Sequence, residues 1–284
     1  MIDRLMDWSR PLGRRILSQL RPRRDVRIEP FESMFPDVDR VVLLEPTTVE
    51  TPELAAATLV PGVAQYQQPT YQTPLAFAAV LRDVLYCPFN NVVLTDDGRV
   101  LGDSLSSIRR AEYLDEYALS ASTIISIDGP AAPLRSRFNG YYHTLVDHAA
   151  RLFLLSDPFF QGFGPIDLLL RDGPTPLETH LLNRMAPDYL CPLPLQRRCV
   201  YHVDTLLFTS FTTRRHAGYL PPRYKTFFQD RMLPQRPRRS DRRIFISRAG
   251  NDRGRRVLNE DAVLDLLRPL GFESYKLQNL SYEE

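Results

Sequence analysis

At 284 residues the chain is long enough for two domains or one large one, and 43% apolar with 25% charged residues is ordinary for a soluble globular protein. Its 36 basic and 34 acidic residues leave a formal charge of +2, which argues against a general nucleic-acid binder. The three cysteines, Cys87, Cys191 and Cys199, form no disulfide framework and lack zinc-site spacing, so a reducing, cytoplasmic setting is the default. The basic side is almost all arginine, with lysine only at Lys225 and Lys276, which reads first as coding bias and second as a ligand signal. The longest apolar runs, such as residues 152–155, are too short to span a bilayer, and no secretory leader is visible.

Residues 1–27 carry eight arginines against three aspartates. Ile2, Leu5, Met6, Trp8, Leu12, Ile16, Leu17 and Leu20 recur there at roughly helical spacing, broken by Pro11 and Gly13. The plainer reading is a helix packed on its own domain; the sharper one is peripheral contact with an anionic membrane or a partner. From Val41 the pattern becomes mixed α/β. Residues 41–44 and 91–94 read as strands, the second entering a hairpin turn at 95–98 and returning at 99–101. Residues 123–127 form the next strand, 141–155 a helix, 167–170 a strand, and 176–185 a helix with Pro176 in its first turn. A strand at 204–209 and a helix at 224–232 complete the series, and the alternation from about Tyr141 onward predicts a parallel, doubly wound, Rossmann-like sheet.

The expected organisation is a basic segment at 1–30, an α/β domain at 31–233, a Pro- and Arg-rich linker at 234–242 and the start of a second domain at 243–284. That last stretch is a βαβ pattern. A strand at 243–247 leads to a helix with Asn259 as N-cap and Glu260 and Asp261 in its first turn. The helix is expected to bury Val263, Leu264, Leu267 and Leu270 and to end at Gly271, with a returning strand at 272–277. Such a unit needs more strands and helices to cover its faces.

Two constellations carry chemistry. Ser247 and Arg248 end a strand, Arg253, Arg255 and Arg256 follow in a loop, and a helix N-terminus opens beyond them. Cations at a strand's carboxyl end, beside free helix N–H groups, suit a phosphate-bearing ligand. The second runs from Asn139 to Arg151. His143, Asp147 and Arg151 stand at i, i+4 and i+8 on a helix, with Asn139 at its entry. A histidine oriented by a carboxylate suits a general base. The plainer alternative is an ordinary i, i+4 Asp147–Arg151 pair with Asn139 as a cap. His148 is expected to face the surface or ordinary packing.

Asn139, Tyr142, His143, Asp147 and Arg151, followed by the apolar run 152–155, resemble a signature of glycosyltransferase family 61. Ile246-Ser247-Arg248 with Arg256, Asn259 and Glu260 resembles the family's second signature, and residues 271–273 and 280–283 the region after it. The resemblance covers about 91 to 284. It implies a GT-B-like architecture of two Rossmann-like domains, with a nucleotide sugar, UDP-linked, held by the C-terminal one. It also implies metal-free, cofactor-free, inverting transfer to a glycan or protein hydroxyl, in bacteria for polysaccharide biosynthesis. His143 becomes the base and Asp147 its support; Asn139, Arg151, Ser247, Arg248, Arg256, Asn259 and Glu260 become ligand-binding positions. Family members continue with a His-Gly segment lining the donor pocket, so the donor domain is expected to be truncated here and the fragment inactive. The alternatives are a non-enzymatic remnant that binds a partner or glycan, and an unrelated α/β protein that binds a phosphorylated metabolite at Arg248.

Overall fold

The structure, a computed structural model, describes residues 16–18, 26–50, 70–105, 114–121, 123–138, 140–213, 219–233, 241–250 and 257–282. The chain falls into two units, residues 1–232 and 233–284.

The larger unit holds strands β1 (Ile16–Ser18), β2 (Arg27–Glu29), β3 (Val41–Leu44), β4 (Thr48–Glu50), β5 (Thr70–Gln72), β6 (Ala76–Cys87), β7 (Val92–Leu94) and β8 (Arg99–Leu101). It continues with β9 (Thr123–Pro133), β10 (Ile166–Arg171), β11 (Leu190–Leu195) and β12 (Val200–Thr209). Ten of them form one sheet in the order β11-β10-β9-β12-β6-β7-β8-β2, with β1 also on β9 and β3 also on β6. β11, β10, β9 and β12 are parallel neighbours; β12–β6, β6–β7 and β7–β8 are antiparallel. The strands from β9 onward are thus parallel, as the alternation predicts. The longer described helices lie on one face, however, so the sheet is not doubly wound, and as a whole it is mixed. The main cause is β6. It is apolar on both faces, so no period-two alternation marks it in the sequence.

Alternation reappears once the layers are known. Ala76, Ala78, Leu168, Leu170 and Leu207 join one core, and Phe77, Ala79, Leu169, Leu206 and Phe208 join the other. The first core is closed by helices, through Ala149, Leu152, Leu154, Leu181, Met185 and Tyr224. The second is closed by Phe31 and Met34 of the short Phe31–Met34 helix. Among the described residues the three longer helices thus share one face of the sheet. Two of them are crossovers between adjacent parallel strands, β9 to β10 and β10 to β11, and crossovers of one hand progressing in one direction fall on one side.

Local chemistry explains the elements. Pro176–Met185 opens with a full capping box: the Thr175 hydroxyl accepts from the Glu178 amide, and the Glu178 carboxylate accepts from the Thr175 amide. Gly98 takes φ +91° in the β7–β8 turn, which a side chain would strain. Pro192 and Pro194 sit in β11, an edge strand with β10 as its neighbour, where missing N–H groups are tolerated. At the N-terminus the expected helical stripe does not run through Ile16 and Leu17; they belong to β1, which pairs antiparallel with Ile125 and Ile124. The rest of that basic segment up to Asp25 lies outside the described residues.

The smaller unit is the expected βαβ: β13 (Arg243–Ile246) and β14 (Phe272–Tyr275) are parallel and joined through the helix Glu260–Leu267. Gly271 adopts the left-handed conformation that ends the helical stretch. Two expectations fail. Asn259 makes no side-chain cap bond, and none of the four apolar residues expected to be buried by the helix is buried. Val263, Leu264 and Leu267 are half-buried, and Leu270 is 55% exposed, where the helix gives way to a 3-10 turn at Arg268–Leu270. Ile244 and Ile246 on β13 are also half exposed.

Candidate functional site

The helix between β9 and β10 is not uniform. Tyr141–His143 is α, Thr144–His148 is a π-helical turn, and Ala149–Leu154 returns to α. Single π turns recur at functional sites because they redirect side chains within a helix. The π turn is held from outside: the Tyr224 hydroxyl donates to the Leu145 carbonyl, and burial pushes the Tyr224 phenol pKa up, so it stays a donor.

His143 Nδ1 lies 3.0 Å from Asp147 Oδ2. The Asp147 side chain is 3% exposed and that of His143 is 30% exposed, so the carboxylate is interior and the ring reaches the surface. A carboxylate only accepts, so Nδ1 carries a proton, and in the neutral ring Nε2 then holds the lone pair. Phe138 stacks on the ring at 4.7 Å and Tyr142 meets it edge-on at 5.5 Å. With Tyr141, these rings form an exposed aromatic rim around the histidine.

Arg151 does not pair with Asp147 in a surface ladder. It is 1% exposed and its guanidinium donates to the carbonyls of Arg135 and Thr209, both at 3.1 Å. It lies 3.9 Å over the Phe211 ring. Burial pulls its pKa down to about 10, partly offset by Tyr86 and Asp147, so it remains a cation at neutral pH. This buried positive charge is a second support for the Asp147 carboxylate.

The sequence reading missed the group beneath. His148, expected at the surface or in ordinary packing, is 1% exposed, and its Nδ1 lies 3.1 Å from Glu178 Oε1. Glu178 also takes a two-pronged contact from Arg135, whose other N–H groups reach the Arg171 and Gly173 carbonyls. Burial pushes the Glu178 carboxyl pKa upward, but the bonds from Arg135, His148 and the Thr175 amide outweigh it and hold the group well below the usual range. Only one part of this was legible: the Thr175-x-x-Glu178 spacing of a capping box. Nothing in the spacing links Arg135 or His148 to it.

In the smaller unit, Ser247 is 4% exposed and its hydroxyl donates to Glu260 Oε1. Glu260 Oε2 accepts from the Arg248 amide at 3.2 Å, and Ser247 Oγ accepts from the Ala249 amide at 3.1 Å. The two residues thus fasten the strand-to-loop corner onto the first turn of the helix. The Arg248 side chain is exposed and has no ion-pair partner among the described residues. Asn259 stands just before the helix, without a cap bond. Asn139 and Arg256 lie outside the described residues, as do Arg253 and Arg255. The structure therefore brings together His143, Asp147 and Arg151 in one unit, and Ser247, Arg248 and Glu260 in the other. Among the described residues no helix is long and apolar enough to cross a membrane.

The family model described as Glycosyltransferase 61 matches residues 141–284, half of the chain. The match starts at the helix that carries His143 and takes in the Ser247–Glu260 corner. No curated protein matches the chain.

Proposed function

This chain belongs to glycosyltransferase family 61 and is of the glycosyltransferase type, and from that premise we propose inverting, metal-independent transfer of a sugar from a nucleotide sugar. The acceptor is a glycan or protein hydroxyl, and the setting is the biosynthesis of a polysaccharide such as a capsule on the cytoplasmic side. The observation that carries this reading is the His143–Asp147 contact of 3.0 Å, with the carboxylate buried and the ring at the surface. With Nδ1 donating to Asp147, Nε2 takes the proton of the acceptor hydroxyl. The oxygen then attacks the anomeric carbon as the bond to the diphosphate breaks. The imidazolium so formed is stabilised by the Asp147 carboxylate. Arg248, with the helix N-terminus at Glu260, balances the charge that develops on the departing nucleoside diphosphate, UDP in the simplest case. A GT-B arrangement, with one Rossmann-like domain for the acceptor and one for the donor, is part of the same proposal.

Glu260 qualifies the donor side. A carboxylate already committed to Ser247 and the Arg248 amide repels phosphate, so Ser247 and Glu260 shape the corner and Arg248 makes the contact. The test pairs binding with turnover. Arg248→Ala should weaken UDP binding by calorimetry, by about 2–3 kcal/mol for a lost charge-assisted contact. In protein that turns over a nucleotide sugar, His143→Ala should cut the rate about 10²–10⁴-fold with UDP affinity unchanged. A His143→Ala protein with near-normal turnover overturns the assignment of the base.

A further inference from the structure

We propose that Asp83, His202 and Asp204 form a binding site for a divalent transition-metal ion such as Zn²⁺, which ties β6 to β12. His202 and Asp204 stand two apart on β12 and so project from the same face. Asp83 lies across from them on β6, in the interval between the pairs Val203–Val84 and Thr205–Arg82 where the two strands face each other. One ligand atom from each of the three residues lies within 4.8 Å of the other two. His202 Nδ1 is 3.5 Å from Asp204 Oδ1, and Nε2 is 3.7 Å from Asp83 Oδ1.

These separations are longer than good N–H···O hydrogen bonds. Metal bonds of about 2.0–2.1 Å place neighbouring ligand atoms about 3.4 Å apart. The Nδ1–Asp204 approach thus already spans one edge of a coordination tetrahedron, and Asp83, which lies nearest Nε2, reaches the same ion by rotation of its exposed side chain. One oxygen of each carboxylate and one ring nitrogen lie within 4.8 Å of one another, close enough for side-chain rotation to bring the three onto a common ion. One ring nitrogen then ligates, both carboxylates complete three positions, and water from the open surface takes a fourth. Two carboxylates held this close repel, and a dication cancels their charge. Among the described residues, no arginine or lysine pairs with either of them. The adjacent Arg82 guanidinium is turned to the Thr205 hydroxyl. One imidazole with two carboxylates suits zinc and its first-row neighbours better than magnesium or calcium, which take oxygen alone. The site is remote from the proposed base. Thr209, which contacts Arg151, stands five residues beyond Asp204 on the same strand, about 17 Å along it. The ion would fasten the sheet and leave the transfer chemistry alone.

The experiment uses the whole chain, stripped with a chelator and dialysed. Zn²⁺ titrated by calorimetry near pH 7.5 should bind at about one equivalent and raise the melting temperature, and Co²⁺ should give the visible absorption of a low-coordinate site. His202→Gln should weaken binding at least about tenfold and abolish the thermal shift, and Asp204→Asn should weaken it in the same way. The second variant guards against loss of folding in the first, checked by circular dichroism. Absence of saturable binding overturns the proposal. So does equal affinity in wild type and both variants, which would place the ion elsewhere, for example at Cys191. A chain stabilised on acidification through His202 but indifferent to Zn²⁺ also overturns it, because the imidazolium itself would then be the cation between the carboxylates.

Discussion

The His143 helix and the Arg248 corner are both strand-to-helix junctions with chemistry at their mouths, yet they are built very differently. The first rests on a sheet buried on both faces. Its polar groups are locked from below by Arg135, His148, Glu178 and Arg151, all nearly inaccessible to water. The second rests on a two-stranded sheet whose Ile244 and Ile246 remain half exposed, and its lock is one carboxylate, Glu260, bound to Ser247 and the Arg248 amide. The contrast shows two ways to hold a reactive side chain. A proton-transfer base needs fixed geometry, and a buried network supplies it. A cation that meets a mobile diphosphate needs mainly reach and charge, and an exposed arginine on a fastened corner is enough.

The comparison breaks first at Arg135. Removing it leaves Glu178 charged, buried and short of two bonds, a loss of about 3–5 kcal/mol. Arg135→Ala should therefore lower the denaturation midpoint of the larger unit strongly, or prevent its folding, as read by urea unfolding. Removing the exposed Arg242, which pairs with Glu273 in the smaller unit, should leave unfolding nearly unchanged. Similar losses from both would mean the two regions are equally dependent on their ion pairs.

Acid sharpens the same contrast. The Glu178 carboxyl is held well below its unfolded range, so its stabilisation is complete above the unfolded pKa of about 4.3 and is lost as pH falls through the depressed folded value. Glu178→Gln should then be much less stable than wild type at pH 7, with the gap closing progressively below about pH 4. Urea midpoints measured across pH give the result directly. A gap that is constant with pH would mean the carboxylate's charge contributes nothing and only its shape matters.

The smallest effect belongs to the corner. Ser247→Ala removes one donor to Glu260 and one acceptor for the Ala249 amide, about 1.5–3 kcal/mol for a bond to a charged group. The loss should be local. Hydrogen exchange should quicken at the amides of Arg248 and Ala249, while β9 and β12 keep their protection. Loosening that spread into the large sheet would show that the two regions are coupled more tightly than their separate construction implies.

Much was legible from the chain alone. Pro176, read in a first turn, marked the helix at Pro176–Met185 with its observed limits, and the βαβ pattern after Arg243 was read from its strand and helix signals. His143 and Asp147 were paired from their i, i+4 spacing, because that relation is local and survives the π turn. The registers of local elements depend on neighbours a few residues away, and those the sequence states directly. Only the tertiary structure decided the rest. It added an antiparallel half to the parallel strands β9–β12 through β6, whose apolar runs on either side of Arg82 and Asp83 hide its period. It drew Ile16 and Leu17 into a strand, because an open edge of β9 outweighed a weak helical stripe. It buried Arg151 against two backbone carbonyls and placed His148 against Glu178, thirty residues away. It set Asp83 beside His202 and Asp204, more than a hundred residues apart. Burial and charge contacts of this kind arise only when distant segments are pressed together, so no spacing rule along the chain encodes them.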